Sequence, residues 1–138
     1  MNIQRIEIDG TYVCSSIDAY KLLLISNDPD ITNDQMNQLS DAIASTPVKW
    51  VAAWDAKCSL WDDAIDWAVI AAFPDGIPEE HQILTTWHED DELSDILNYI
   101  IHAGEDDERG TVHILIVGNV LRSQFEIENM LRKDSDEP

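Results

Sequence analysis

The apolar residues of this chain switch repeatedly between the two-residue period of a strand and the 3.6-residue period of a helix, and few folds accept that alternation. Residues 20–25 (YKLLLI), 48–54 (VKWVAAW), 83–87 (ILTTW) and 111–117 (TVHILIV) read as strands. Helical stripes lie between them: Met36, Leu39 and Ile43, then Leu60, Ala64, Trp67, Ala68 and Ala71, then Leu93, Ile96, Leu97, Ile100 and Ile101. The punctuation agrees. Thr32 and Gln35 form a capping-box pair, Pro47 closes the first helix, Ser59 stands where the second begins, and Asp90 or Asp91 is placed to cap the third. Ser123 and Glu126 repeat the capping-box spacing ahead of a last helix carrying Ile127, Met130 and Leu131.

Strands alternating with helices predict an α/β protein: a mostly parallel central sheet of about four strands with helices on its faces. Ile6 and Ile8 alternate with charged residues, an Asp9-Gly10 turn follows, and Tyr12-Val13-Cys14 comes next. This adds an N-terminal edge strand or hairpin. A chain of 138 residues is expected to form one domain, 1–138, with its compact unit at about 20–133 and a frayed polar tail at 134–138.

Eight Lys and Arg face 28 Asp and Glu, a formal charge of −20 and a pI near 4.1. Nucleic-acid phosphates and anionic membrane surfaces recruit Lys and Arg, so both are excluded as direct partners. Basic proteins and divalent cations remain, and charge of this size speeds their approach. Cys14 and Cys58 are too few for a disulfide framework. The first residues have no signal-peptide core, and no apolar run is long enough to span a membrane. The expectation is a reduced, cytoplasmic protein. Neither G-x-G-x-x-G nor G-x-x-x-x-G-K-[ST] occurs, so no nucleotide cofactor is expected.

Ligands of an open parallel sheet sit beyond the carboxyl ends of its strands. The segments there are 27–30 (NDPD), 55–63 (DAKCSLWDD) and 88–91 (HEDD). From Cys58 to Glu108 there are 15 carboxylates and no Lys or Arg across 51 positions. Acids in a first helical turn also oppose the helix dipole, by about 0.3–1 kcal/mol each. That role does not explain three agreeing loops. Trp54, Trp61 and Trp87 lie beside the acids, where they read either as core or as anchors for a Lys- or Arg-rich partner; Trp67 reads as core. The expected partner-binding set is Asp55, Trp61, Asp62, Asp63, Trp87, His88, Glu89, Asp90 and Asp91.

The same segments admit other chemistry. Cys58 at a helix start, His88 as base and Asp62, Asp63 or Glu89 as orienting group would make a nucleophilic cysteine site. The surrounding carboxylates oppose it, because they raise a thiol's pKa. The plain structural alternative is a buried cysteine and a histidine that bonds the acidic loop. His88, Glu89, Asp90 and Asp62 are oxygen-rich enough for Mg²⁺ or Mn²⁺. His81, His102 and His113 lack partners at zinc spacing, and His113 reads as a core or edge residue. No metal enters the expected set.

Two segments carry a resemblance: residues 53–66 (AWDAKCSLWDDAID) and 85–93 (TTWHEDDEL). Here the chain resembles an uncharacterised bacterial domain family over roughly residues 20–117. The resemblance implies that Cys58, Asp62, Asp63, Asp66, His88 and Glu89 form one cluster. The family pattern has Trp-Gly where this chain has Trp54-Asp55. In size, acidity and α/β class the chain is also similar to small immunity proteins and barstar-like inhibitors, by analogy alone.

The expected function is therefore that of an acidic inhibitor or immunity protein. It would bind a basic toxin 1:1, such as a contact-dependent inhibition nuclease, and neutralise it. The alternatives are a small enzyme built on Cys58, His88 and Asp62, and a DNA mimic that blocks a defence nuclease.

Overall fold

Seven consecutive buried residues make the centre of the molecule. In the computed structural model, which describes residues 2–6, 12, 14, 18–26, 30–55, 57–102, 111–118 and 129, strand β2 (Tyr20–Ser26) has no exposed position. A strand covered on both faces needs apolar side chains in both directions, and Leu22, Leu23, Leu24 and Ile25 supply them. Around β2 lie β1 (Asn2–Ile6), β3 (Val48–Asp55), β4 (Leu84–His88) and β5 (Thr111–Val117). They form a five-stranded sheet in the order β1-β5-β2-β3-β4, with every pairing parallel. The N-terminal segment is thus an edge strand on β5. The Asp9-Gly10 turn lies outside the described residues, as do the last capping box and the tail.

Helix α1 (Asn33–Ala44) starts at the expected capping box: Gln35 N–H donates to Thr32 Oγ1 (3.2 Å) and Thr32 N–H to Gln35 Oε1 (2.9 Å). Met36, Leu39 and Ile43 are its buried stripe. Helix α2 (Cys58–Ala72) begins one residue before Ser59, and its cap is Lys57, with no side-chain bond. Helix α3 (Leu93–His102) begins beyond both expected caps, since the Glu92 carbonyl accepts from the Asp95 and Ile96 amides. A single 3₁₀ turn, Glu79–His81, leads into β4.

The chain runs β2 to β3 to β4 in one direction across the sheet and returns from β4 to β5 in the other. Right-handed crossovers then force α1 and α2 onto one face and α3 onto the opposite one. The two cores bear this out. Leu22, Leu24, Val51, Ala53, Leu115 and Val117 pack with α1 and α2, while Leu23, Ile25, Trp50, Ala52, Ile114 and Ile116 pack with Leu93, Ile96, Leu97 and Ile100 of α3. Each large side chain buried this way contributes about 1.5–3 kcal/mol relative to exposure.

One buried polar chain runs along the opposite, amino edge of the sheet. The Tyr12 and Tyr20 hydroxyls are 2.9 Å apart, Tyr20 is 2.6 Å from Thr46 Oγ1, and Thr46 donates to the Ile43 carbonyl. His113, half-buried, stacks on Tyr20 with ring centres 4.5 Å apart.

Candidate functional site at the carboxyl edge

Because all strands run the same way, their carboxyl ends share one edge. Ser26 is in register with Asp55 and Val117, and Trp54 with His88. The segments that follow β3 and β4 therefore start side by side. They then diverge, β3 into α2 on one face and β4 into α3 on the other. A crevice between strands that exit to opposite faces is where open α/β sheets place their ligands.

The sequence brings Asp55, His88, Glu89, Asp90 and Asp91 to this edge, as expected. Glu89, Asp90 and Asp91 are exposed. Trp54 Nε1 donates to the Asp91 carbonyl (2.8 Å) and so ties the end of β3 to the acidic turn. Lys57 has φ +57°, the left-handed region that costs a non-glycine residue about 1–2 kcal/mol. It spends its ammonium on the Ile31 carbonyl (2.8 Å). Lys49 likewise donates to the Glu80 carbonyl, at the far edge. Both cations are thus turned to main-chain oxygens rather than to the acidic turns.

Strand alternation decides which face each β4 side chain takes. Leu84, Thr86 and His88 are level with Trp50, Ala52 and Trp54 on the α3 face, and Thr85 and Trp87 are level with Val51 and Ala53 on the α2 face. His88 Nδ1 is 2.9 Å from Asp91 Oδ2, and Nε2 is 3.1 Å from Thr86 Oγ1, which itself accepts from Trp50 Nε1 (3.0 Å). Asp91, Asp95, Ile96 and Tyr99 complete an open groove of about 300 Å³ beside the imidazole.

Cys58 packs in the other core, with α1 and α2. Its thiol lies against the His88 main chain and near Glu89, while the His88 ring turns to Thr86 and Asp91 on the α3 face rather than to Cys58 or Asp62. Burial pushes the Cys58 thiol up, and the nearby Glu89 charge adds to the rise. Of the oxygen-ligand set, the His88 ring is engaged by Thr86 and Asp91, while Asp62 neighbours Thr85, Asp63 and Asp66. Among the described residues no group of three or more His, Cys, Asp or Glu is placed to hold a metal. Of the cluster implied by the family resemblance, Cys58 lies beside the His88 main chain and Glu89, and Asp62, Asp63 and Asp66 share α2, while the His88 ring turns to Asp91.

On the α2 face, Asp62 and Asp66 converge on Thr85. The Thr85 hydroxyl donates to Asp66 Oδ1 (2.9 Å), and Asp62 Oδ1 is buried without a partner. Burial raises the Asp62 carboxyl, and the Asp66 and Asp63 charges add to it. Asp63 is exposed on the same helix.

The tryptophans change places. Trp61, expected as an anchor, has no exposed surface and fills the α1/α2 core. Trp67, expected in the core, is 69% exposed, and Trp87 is 49% exposed. The cause is the composition of α2, which is apolar nearly all round, so its period does not say which side is inside. The buried side is Cys58, Trp61, Ala64, Ile65, Ala68 and Val69, leaving Leu60, Trp67 and Ile70 outward.

An open, all-parallel α/β sheet with an acidic carboxyl edge and outward tryptophans defines the class. The chain belongs to the domain-of-unknown-function family DUF7684, whose model matches residues 7–134. No curated protein and no solved structure matches it. Among the described residues no helix is long and apolar enough to cross a membrane.

Proposed function

We propose that this protein is an acidic inhibitor of the immunity type, a cytoplasmic protein that binds a basic toxin, such as a secreted nuclease, and covers its substrate groove. The observation that carries the reading is the carboxyl edge. The end of β3 lies beside the acidic turn after β4 and exposed Trp87, and Lys49 and Lys57 are spent on carbonyl oxygens. A nuclease is basic because it grips phosphate. A −20 protein meets it through long-range attraction, and desolvated aromatics then supply the short-range affinity. Asp63, Glu89 and Asp90, all exposed, are the charges free of any structural bond described above.

The test is affinity capture from the producing cell, followed by reconstitution with the recovered partner. A basic nuclease silenced at 1:1 stoichiometry is the expected result, with an association rate that falls steeply with salt. The triple variant Asp63→Asn, Glu89→Gln, Asp90→Asn should slow association. Association indifferent to salt and to all three substitutions would overturn the reading.

A further inference from the structure

Strand β4 ends the sheet order, and among the described residues nothing pairs with its outer side. Open edges in natural sheets are normally blunted by lysine, proline or a bulge. β4 (LTTWH) contains neither residue, and its register with β3 has no shift. It carries instead two half-exposed apolar side chains, Leu84 on the α3 face and Trp87 on the α2 face. Each flank is acidic: Asp62 and Asp66 meet Thr85 on one face, and Asp91 and Asp95 line the groove at His88 on the other. Asp62 Oδ1 stands there buried and unpartnered. The outward side of α2, with Trp67, Leu60 and Ile70, extends the apolar surface away from the edge.

We propose that the outer side of β4 receives an extended, lysine- or arginine-rich segment of a partner protein as an added strand. Main-chain hydrogen bonds to β4 would supply the register, since a strand edge offers unpaired N–H and C=O groups along its length. Alternate side chains of the added strand fall on the two faces, and each face meets carboxylates. Trp87 would cover the apolar stem of a long cationic side chain, with its charge over the ring face. A second copy of this chain is a poor occupant, because each copy brings −20 and the same acidic flanks. The proposal rests on the basic-partner reading above and adds the mode of docking.

The experiment titrates the full chain, at low salt, with a short blocked peptide that alternates lysine and valine. A second peptide has the same charge but N-methyl groups on alternate residues, which removes the main-chain donors. Amide exchange of Leu84 to His88 and Trp fluorescence are read together. The unmodified peptide should slow β4 exchange by about tenfold or more. Added salt, N-methylation or Trp87→Ala should each abolish or sharply weaken that effect. Equal binding of both peptides would overturn strand addition while leaving the attraction for basic partners standing. Failure of both to bind at low salt would overturn both. β4 protection that rises with protein concentration and no peptide would overturn the proposal in favour of self-pairing.

Discussion

His88 Nδ1 lies 2.9 Å from Asp91 Oδ2, and this bond closes the acidic turn after β4 onto the sheet. The other ring nitrogen faces Thr86 Oγ1, whose lone pair takes the Trp50 N–H. The Thr86 proton is then free to donate to Nε2, and the Nδ1 proton donates to Asp91. With both nitrogens engaged, His88 pins a loop. Replacing Asp91 by Ala should cost about 0.5–1.5 kcal/mol in urea unfolding, with Asp91→Asn, which keeps an acceptor, costing less.

Cys58 should be slow toward a thiol reagent at neutral pH. It is buried, and burial raises its pKa. A Cys14→Ser variant isolates it. Ellman's reagent should then react at the rate of global unfolding and speed up in urea. Rapid modification of the folded variant would revive a reactive-cysteine site.

The tryptophan assignments separate cleanly by stability. Trp61→Ala removes a fully buried ring and should cost about 3–5 kcal/mol. Trp67→Ala, at an exposed position, should stay within about 0.5 kcal/mol. Urea midpoints check both, and acrylamide should quench the Trp67 and Trp87 emission while sparing Trp50 and Trp61.

Lys57 combines a left-handed backbone with a bond to the Ile31 carbonyl. Lys57→Ala loses the bond and keeps the strain, whereas Lys57→Gly loses the bond and relieves it. The Gly variant should therefore be more stable than the Ala variant by about 1 kcal/mol, measured by chemical denaturation.

Alkaline pH tests the buried tyrosines. Burial pushes Tyr12 up to about 12, and it raises Tyr20 further. Unfolded tyrosines lose their proton near pH 10. Their contribution is thus full below pH 10 and is lost as pH rises through the folded values, because the unfolded chain then holds fewer protons. Stability should fall steadily above pH 10, and Tyr12→Phe should flatten that fall. Phenolate absorbance, read as the difference from this variant, should lag behind that of the denatured chain.

The sequence made the layer architecture legible because β2, β5 and α3 each have one answer. A fully apolar run such as YKLLLI has no polar face to turn outward, and the stripe from Leu93 to Ile100 fits only a helix. The capping box at Thr32 was equally explicit, with both partners at the right spacing. The helix starts at Lys57 and Glu92 were hidden, since neither cap uses a side chain. The site was legible only as to its edge. Counting acids along 55–63 and 88–91 finds the loops, but the face each side chain takes depends on strand pairing. One register step along β4 separates Trp87 from His88 and turns the His88 ring to the face away from α2. A search for strand alternation at 84–88 would have found that division. The outward turn of Trp67 had no such signal, because Leu60, Trp61, Ile65, Trp67 and Ile70 ring the helix.

Among the described strands the one furthest along the chain, β5, sits between β1 and β2, and this shapes how the chain matures. Among the described residues β1 pairs only with β5, so its neighbour is separated from it by over a hundred residues of chain. Such distant pairings form late and slowly. Until β5 leaves the ribosome, the β2-β3-β4 sheet has an unfilled inner border and β1 has nowhere to dock. A chain cut short before Thr111 would expose Leu22 to Ile25 along that border and be a natural substrate for chaperones and proteases.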